Sequence, residues 1–120
     1  MPNYYKIIKN RIISSDNQDE AIKKFTPELI KQKPNKKLDN SLHKALLGQD
    51  PLDKKIAKSI INTLIERRSD YPNFYPQTLY VKNYYGHTPL FLAAYYGNSD
   101  IVTTILEDNT QLRTTKYKPA

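Results

Sequence analysis

Cysteine is absent from the 120 residues. No disulfide framework and no thiolate metal site can form, and the sequence carries no mark of a redox compartment. Histidine is scarce: His43 and His87 stand without an H-x-x-x-H partner or a surrounding carboxylate cluster, so neither a metal nor a cofactor is expected. The three glycines, Gly48, Gly86 and Gly97, fall at expected turns and build no phosphate-cradling loop. No apolar run reaches the ~20 residues needed to cross a bilayer. The opening stretch MPNYYKIIKNRIISSD is too polar for the apolar region of a signal peptide. The chain is read as non-enzymatic and as acting in a cytoplasm.

Basic residues are plentiful. The net charge is +7 and the pI about 9.5, with Lys supplying 15 of the 19 basic residues and Arg only 4. An AT-rich coding sequence also produces such Lys, Asn, Ile and Tyr bias, but the surface still favours acidic partners through long-range attraction. Hydrophobic residues make up 38% and charged residues 26%. That composition suits a thin core and an elongated stack of elements better than a sphere.

The order of apolar residues and caps predicts helices. Tyr4, Ile7, Ile8 and Ile12 lie at helical spacing. Ser15 or Asp16 is expected to cap a second helix, and Thr26 with Pro27 to open a third. KQKPNKKLDN reads as a solvated, polar break. Asn40 or Ser41 caps a short helix through Leu42, Ala45, Leu46 and Leu47, with Gly48 ending it in the left-handed conformation. Asp50, Pro51 and Asp53 then open the best-defined helix, whose stripe is Leu52, Ile56, Ile60 and Leu64. Residues 69–85 hold two prolines and six aromatics without helical period. QTLYVKN there is expected to form a short strand by its β-branched and aromatic content, in an otherwise extended loop.

From Asn83 onward one pattern is dense: Asn83, Gly86, Thr88-Pro89-Leu90, Ala93-Ala94, Gly97, Ile101-Val102 and Ile105-Leu106. It resembles the ankyrin repeat, a turn plus two helices of about 33 residues. Gly86 suits a positive φ, Thr88 caps, Pro89 opens the first helix and Gly97 ends it. Ser99 caps the second helix. Phe91 departs from the pattern, because the family has His there, tying adjacent turns through hydrogen bonds. Leu42-His43-Lys44-Ala45 mirrors Leu90-Phe91-Leu92-Ala93 and retains that His. One clear repeat is therefore expected at 83–109 and one divergent repeat at about 40–66, with an overlong aromatic finger between them.

The resemblance implies an all-α fold, a helical-hairpin solenoid of ankyrin type. Its expected parts are an N-terminal helical cap (1–38), a divergent repeat (39–68), an extended finger loop (69–87), repeat helices (88–109) and the start of a further finger or tail (110–120). The chain is read as a fragment of a longer array, the recognition part of a host-directed protein reaching a host cytoplasm without a cleaved signal. Ankyrin-like proteins bind protein partners along fingers and first helices. The candidate partner-binding residues are Tyr71, Phe74, Tyr75, Tyr84, Tyr85, Leu92, Tyr95 and Tyr96, facing an acidic or mixed-charge protein. A basic nucleic-acid or anionic-surface binder is the alternative; scattered lysines and few arginines weigh against it.

Overall fold

The computed structural model describes residues 3–117, with side chains to residue 109. Seven α-helices follow one another: α1 (Tyr4–Ile13), α2 (Gln18–Ile30), α3 (Ser41–Leu47), α4 (Pro51–Glu66), α5 (Tyr75–Tyr80), α6 (Pro89–Tyr95) and α7 (Ser99–Tyr117). No strand occurs among the described residues, so the fold is all-α. The chain is elongated, 50 × 30 × 26 Å.

α4 is the centre. Its Ile56, Ile60 and Leu64, one helical turn apart, are fully buried, and Ala57 and Ile61 widen the stripe. That face meets α2, α3, α5 and α7. Asp50 caps the helix by accepting from the Asp53 N–H at 2.8 Å, and Pro51 opens it. Asp53 does not complete a capping box, because its carboxylate turns to α1. It accepts from the Tyr5 hydroxyl at 2.5 Å and from Lys9 Nζ at 2.9 Å, while Lys9 also reaches Asp50 at 2.6 Å. Burial and the neighbouring Asp53 carboxylate push the Tyr5 pKa up. Burial alone would lower Lys9, but its hydrogen bonds to Asp50 and Asp53 outweigh it and raise the pKa.

This clamp corrects the reading of Gly48. Its φ of −72° and ψ of 142° are ordinary extended values, not left-handed ones. Glycine is needed for space: a Cβ would stand 2.2 Å from Asp53 Oδ2. Gly48→Ala is expected to cost about 2 kcal/mol by urea denaturation. The cost should shrink to a few tenths once Asp53 is Ser, since the clashing carboxylate is then gone.

Three other local expectations give way to packing. α2 is capped by Asn17, whose side chain accepts from Glu20 N–H at 3.1 Å, rather than by Ser15 or Asp16. Thr26 and Pro27 do not begin a helix but lie inside α2. The Thr26 hydroxyl is buried, donates to the Ile22 carbonyl at 2.5 Å and lies 2.7 Å from Ser59 Oγ, and the chain stays helical to bury Leu29 and Ile30. QTLYVKN forms no strand. A 3-10 turn at Arg68–Asp70 and then α5 occupy the long connection, because helical geometry buries Tyr75 and Leu79 together and carries two tyrosine hydroxyls to Asp108 on α7. α7 begins at Ser99 and runs on through residues 110–117, where the start of a further finger or tail was expected. Residues 118–120 of that segment lie outside the described residues.

Candidate protein-interaction face

Two turns of the chain have the same construction, every matching residue 48 positions apart. In the first, Asn35 N–H donates to the Asp39 carbonyl at 3.1 Å and Leu38 N–H to the Asn35 carbonyl at 2.9 Å. The Asn35 side-chain oxygen accepts from Lys37 and Asp39 N–H at 2.9 and 3.0 Å. In the second, Asn83 N–H donates to His87 and Gly86 N–H to Asn83, both at 3.0 Å. The Asn83 oxygen accepts from Tyr85 and His87 N–H at 3.1 and 3.0 Å. Each turn leads into a capped helix: Asn40 accepts from His43 N–H at 2.9 Å, and Thr88 from Phe91 N–H at 3.1 Å.

One position separates them chemically. Gly86 has φ 79°, the left-handed value that favours glycine, and its counterpart Leu38 has φ 60°. A leucine held there is strained by roughly 1 kcal/mol. Leu38 is half exposed, so little packing would be lost with it. Leu38→Gly is expected to raise stability by about 0.5–1 kcal/mol in thermal or urea unfolding, against the usual penalty for added glycine; a net loss would show that the leucine side chain matters more than its backbone.

The second turn sits on the first through polar contacts. Tyr84 N–H donates to the Lys37 carbonyl at 2.8 Å, and the Asn83 amide to Asp39 Oδ1 at 2.8 Å. His43 is fully buried between them. Its Nδ1 accepts from Asn40 N–H at 3.1 Å, and its Nε2 lies 3.1 Å from both the Val81 and His87 carbonyls. The Asn40 donor fixes the tautomer: Nδ1 is bare and Nε2 carries the proton. Asn40 also donates through its amide to the Thr78 carbonyl at 3.2 Å. The sequence placed His43 in a helix; its bridging role depends on contacts about forty residues away.

Outside this junction the side chains form a continuous series of rings. Tyr84 and Tyr85 meet edge to face at 5.4 Å, Tyr85 lies 6.2 Å from His87, His87 stacks on Phe91 at 4.4 Å, and Phe91 stacks on Tyr95 at 6.0 Å. Tyr96 closes the series, edge-on to Tyr95 at 4.9 Å. Tyr84 and Tyr95 are about 70% exposed, at 71% and 70%, so these rings are not core. Lys37 lies over Tyr85, 5.1 Å from the ring centroid, with its Nζ donating to the Tyr85 hydroxyl at 2.6 Å. That hydrogen bond raises the Lys37 pKa, so its charge is held.

The structure keeps four of the eight candidate residues on this face: Tyr84, Tyr85, Tyr95 and Tyr96. Tyr71, Tyr75 and Leu92 are corrected to core residues; all three are buried and hence out of a partner's reach. Phe74 is half-buried and packs against the same core. An aromatic residue looks the same in sequence whether it serves core or surface. Two members were missed, His87 and Phe91. Their spacing to Tyr95, four residues at each step, puts all three on one stripe leading into and along α6, and that spacing was the available signal.

The turn, the Thr88 cap, the Pro89 start and the hairpin of α6 and α7 recur together in one known family. The family model of the ankyrin repeat matches residues 85–114. The chain carries an ankyrin repeat. The match covers a quarter of its length and takes in Gly86, all of α6 and most of α7. Neither a curated protein nor a solved structure matches the chain. The ankyrin repeat is a protein-interaction module, and the aromatic series lies on its turn and first helix. No helix among the described residues is long and apolar enough to cross a membrane.

Proposed function

We propose that this chain is a non-enzymatic protein-interaction domain that binds its partner through the aromatic face of the ankyrin repeat. The observation that carries this reading is the ring series Tyr84, Tyr85, His87, Phe91, Tyr95 and Tyr96, exposed except for the half-buried His87. Exposed contiguous aromatics are rare on a surface without a partner, and tyrosine supplies contact area at low entropic cost. The partner is acidic or mixed in charge, and is sought first among cytoplasmic proteins, of the producing cell or of a host. Residues 39–68 act as a second, divergent repeat stacked on the first in solenoid fashion. This is supported by the matching turns 48 residues apart and by His43, which bridges the turns as the family's His does.

The test is affinity capture with the wild-type chain and with Tyr84, Tyr95 and Tyr96 replaced together by Ala. A captured protein is identified, purified and re-bound. Loss of more than about tenfold in affinity, or 1.4 kcal/mol, supports the face. A purified partner indifferent to the triple variant would remove it. Recovery of RNA or DNA instead, with binding that collapses in salt, would favour the nucleic-acid alternative.

A further inference from the structure

The surface beyond the second turn corresponds, residue for residue, to the surface on which the second turn itself sits. In the first turn the seat consists of the Lys37 carbonyl, the Asp39 carboxylate and the His43 Nε2–H. Forty-eight residues later the same places hold the Tyr85 carbonyl, His87 and Phe91. The Tyr85 carbonyl accepts no hydrogen bond from a described residue. The carboxylate that would take an asparagine amide has become an imidazole, and the ring N–H that would hold two carbonyls has become a phenyl. Another asparagine turn could not be held here by the contacts that hold the second one. What persists is a backbone acceptor: in the first seat it takes the N–H of Tyr84, reached from Val81, whose backbone is extended, and here it is bordered by stacked rings.

The charge of the region is one-sided. Residues 71–99 contain no Asp or Glu and one cation, Lys82. Lys82 is exposed just before the turn, and Lys37 lies over Tyr85. The molecule also uses tyrosine hydroxyls repeatedly to hold carboxylates, Tyr5 on Asp53 and Tyr75 and Tyr80 on Asp108. The exposed hydroxyls of Tyr84, Tyr95 and Tyr96 make no hydrogen bond to a described residue.

We infer that this seat takes an extended acidic segment of the partner protein. One backbone N–H of the segment donates to the Tyr85 carbonyl, as Tyr84 N–H does to Lys37. An apolar side chain covers the Phe91 and Tyr95 edges, and carboxylates meet Lys37, Lys82 and the free tyrosine hydroxyls. The inference rests on the aromatic face being the binding face, and it adds the conformation and charge of what binds.

The test uses a fluorescein-labelled peptide of repeating Glu-Leu-Glu-Pro, its twin with Lys for Glu, and a labelled oligouridylate, followed by anisotropy with the intact chain. Saturable binding of the acidic peptide alone is expected. It should fall about tenfold with Phe91→Ala and with Lys37→Glu, and stay unchanged with Lys55→Ala on the far side of α4. Unfolding curves establish that each variant is folded. No saturation by the acidic peptide, equal binding of its basic twin, tighter binding of the oligouridylate, or indifference to Phe91→Ala would each overturn the inference. If a purified partner is meanwhile lost on the triple tyrosine variant while the acidic peptide does not bind, the face stands and only the acidic, extended occupant fails.

Discussion

Asp108→Ala is expected to cost about 3–5 kcal/mol, measured by urea unfolding, out of the ~5–15 kcal/mol typical of a domain. The Asp108 carboxylate is wholly buried on α7 and holds three donors from two other elements. Tyr75 donates to it at 2.7 Å, Tyr80 donates to the same oxygen, and Arg68 Nη2 reaches the other at 3.2 Å. Alanine would leave two largely sequestered hydroxyls and a guanidinium without their acceptor. Asp108→Asn keeps the shape but turns one acceptor into a donor facing donors, so an intermediate loss is expected. The signature of the network is non-additivity: Tyr75→Phe should cost about 1 kcal/mol in the native chain and almost nothing once Asp108 is gone. The same site sets an alkaline limit. Burial first, and then Asp108, push the Tyr75 pKa up to about 12 and raise Tyr80 as well. The folded pKa values lie above the ordinary 10, so this stability is complete below pH 10 and is lost as pH rises through the folded values.

His43→Leu is expected to cost about 3 kcal/mol, because it strips the Asn40 N–H and the Val81 and His87 carbonyls of their shared partner inside a closed junction. Leucine fills much of the volume, so most of the loss is polar. The acid response separates this from plain packing. Burial lowers the His43 pKa, and the nearby Asp39 and the hydrogen bonds to the Val81 and His87 carbonyls oppose the shift without reversing it. Lowered in the fold, the group remains neutral there while the unfolded chain binds a proton. Stability is therefore full above the ordinary value of 6.5 and declines as pH falls from there toward the folded pKa. Melting temperatures of the native chain should drop between pH 7 and pH 5, and His43→Leu should flatten that slope. An unchanged slope would mean that His43 is not the titrating group.

Much of this fold was legible because its signals are local. Asp50-Pro51 and Thr88-Pro89 start helices wherever they occur, and Gly86 and Gly97 do adopt positive φ. The apolar stripe of α4 needed no knowledge of its neighbours. What failed depended on distant partners. QTLYVKN has strand-like composition, yet its first four residues join α5, whose Tyr75 and Tyr80 hydroxyls meet Asp108, some thirty residues on. Gly48 resembles a helix terminator, but its reason is an aspartate pulled towards α1. The turn at Asn35–Asp39 was hidden by lysines and by a leucine where glycine belongs. Among the candidate residues, Tyr71 and Tyr75 are buried while Tyr84 and Tyr95 are exposed, a difference set only by which way the backbone turns them.

The junction between the turns has a consequence for how the surface can change over generations. His43, Asn40 and Lys37 grip the second turn mainly by its backbone, at the Val81, His87 and Thr78 carbonyls and the Tyr84 amide. Of the turn's side chains, Asn83 is engaged by Asp39 and Tyr85 by Lys37. Tyr84, His87 and Phe91 therefore owe the scaffold little beyond compatible backbone angles. Selection can exchange them singly without forfeiting the stack, so affinity can drift or be retuned while the architecture stays fixed.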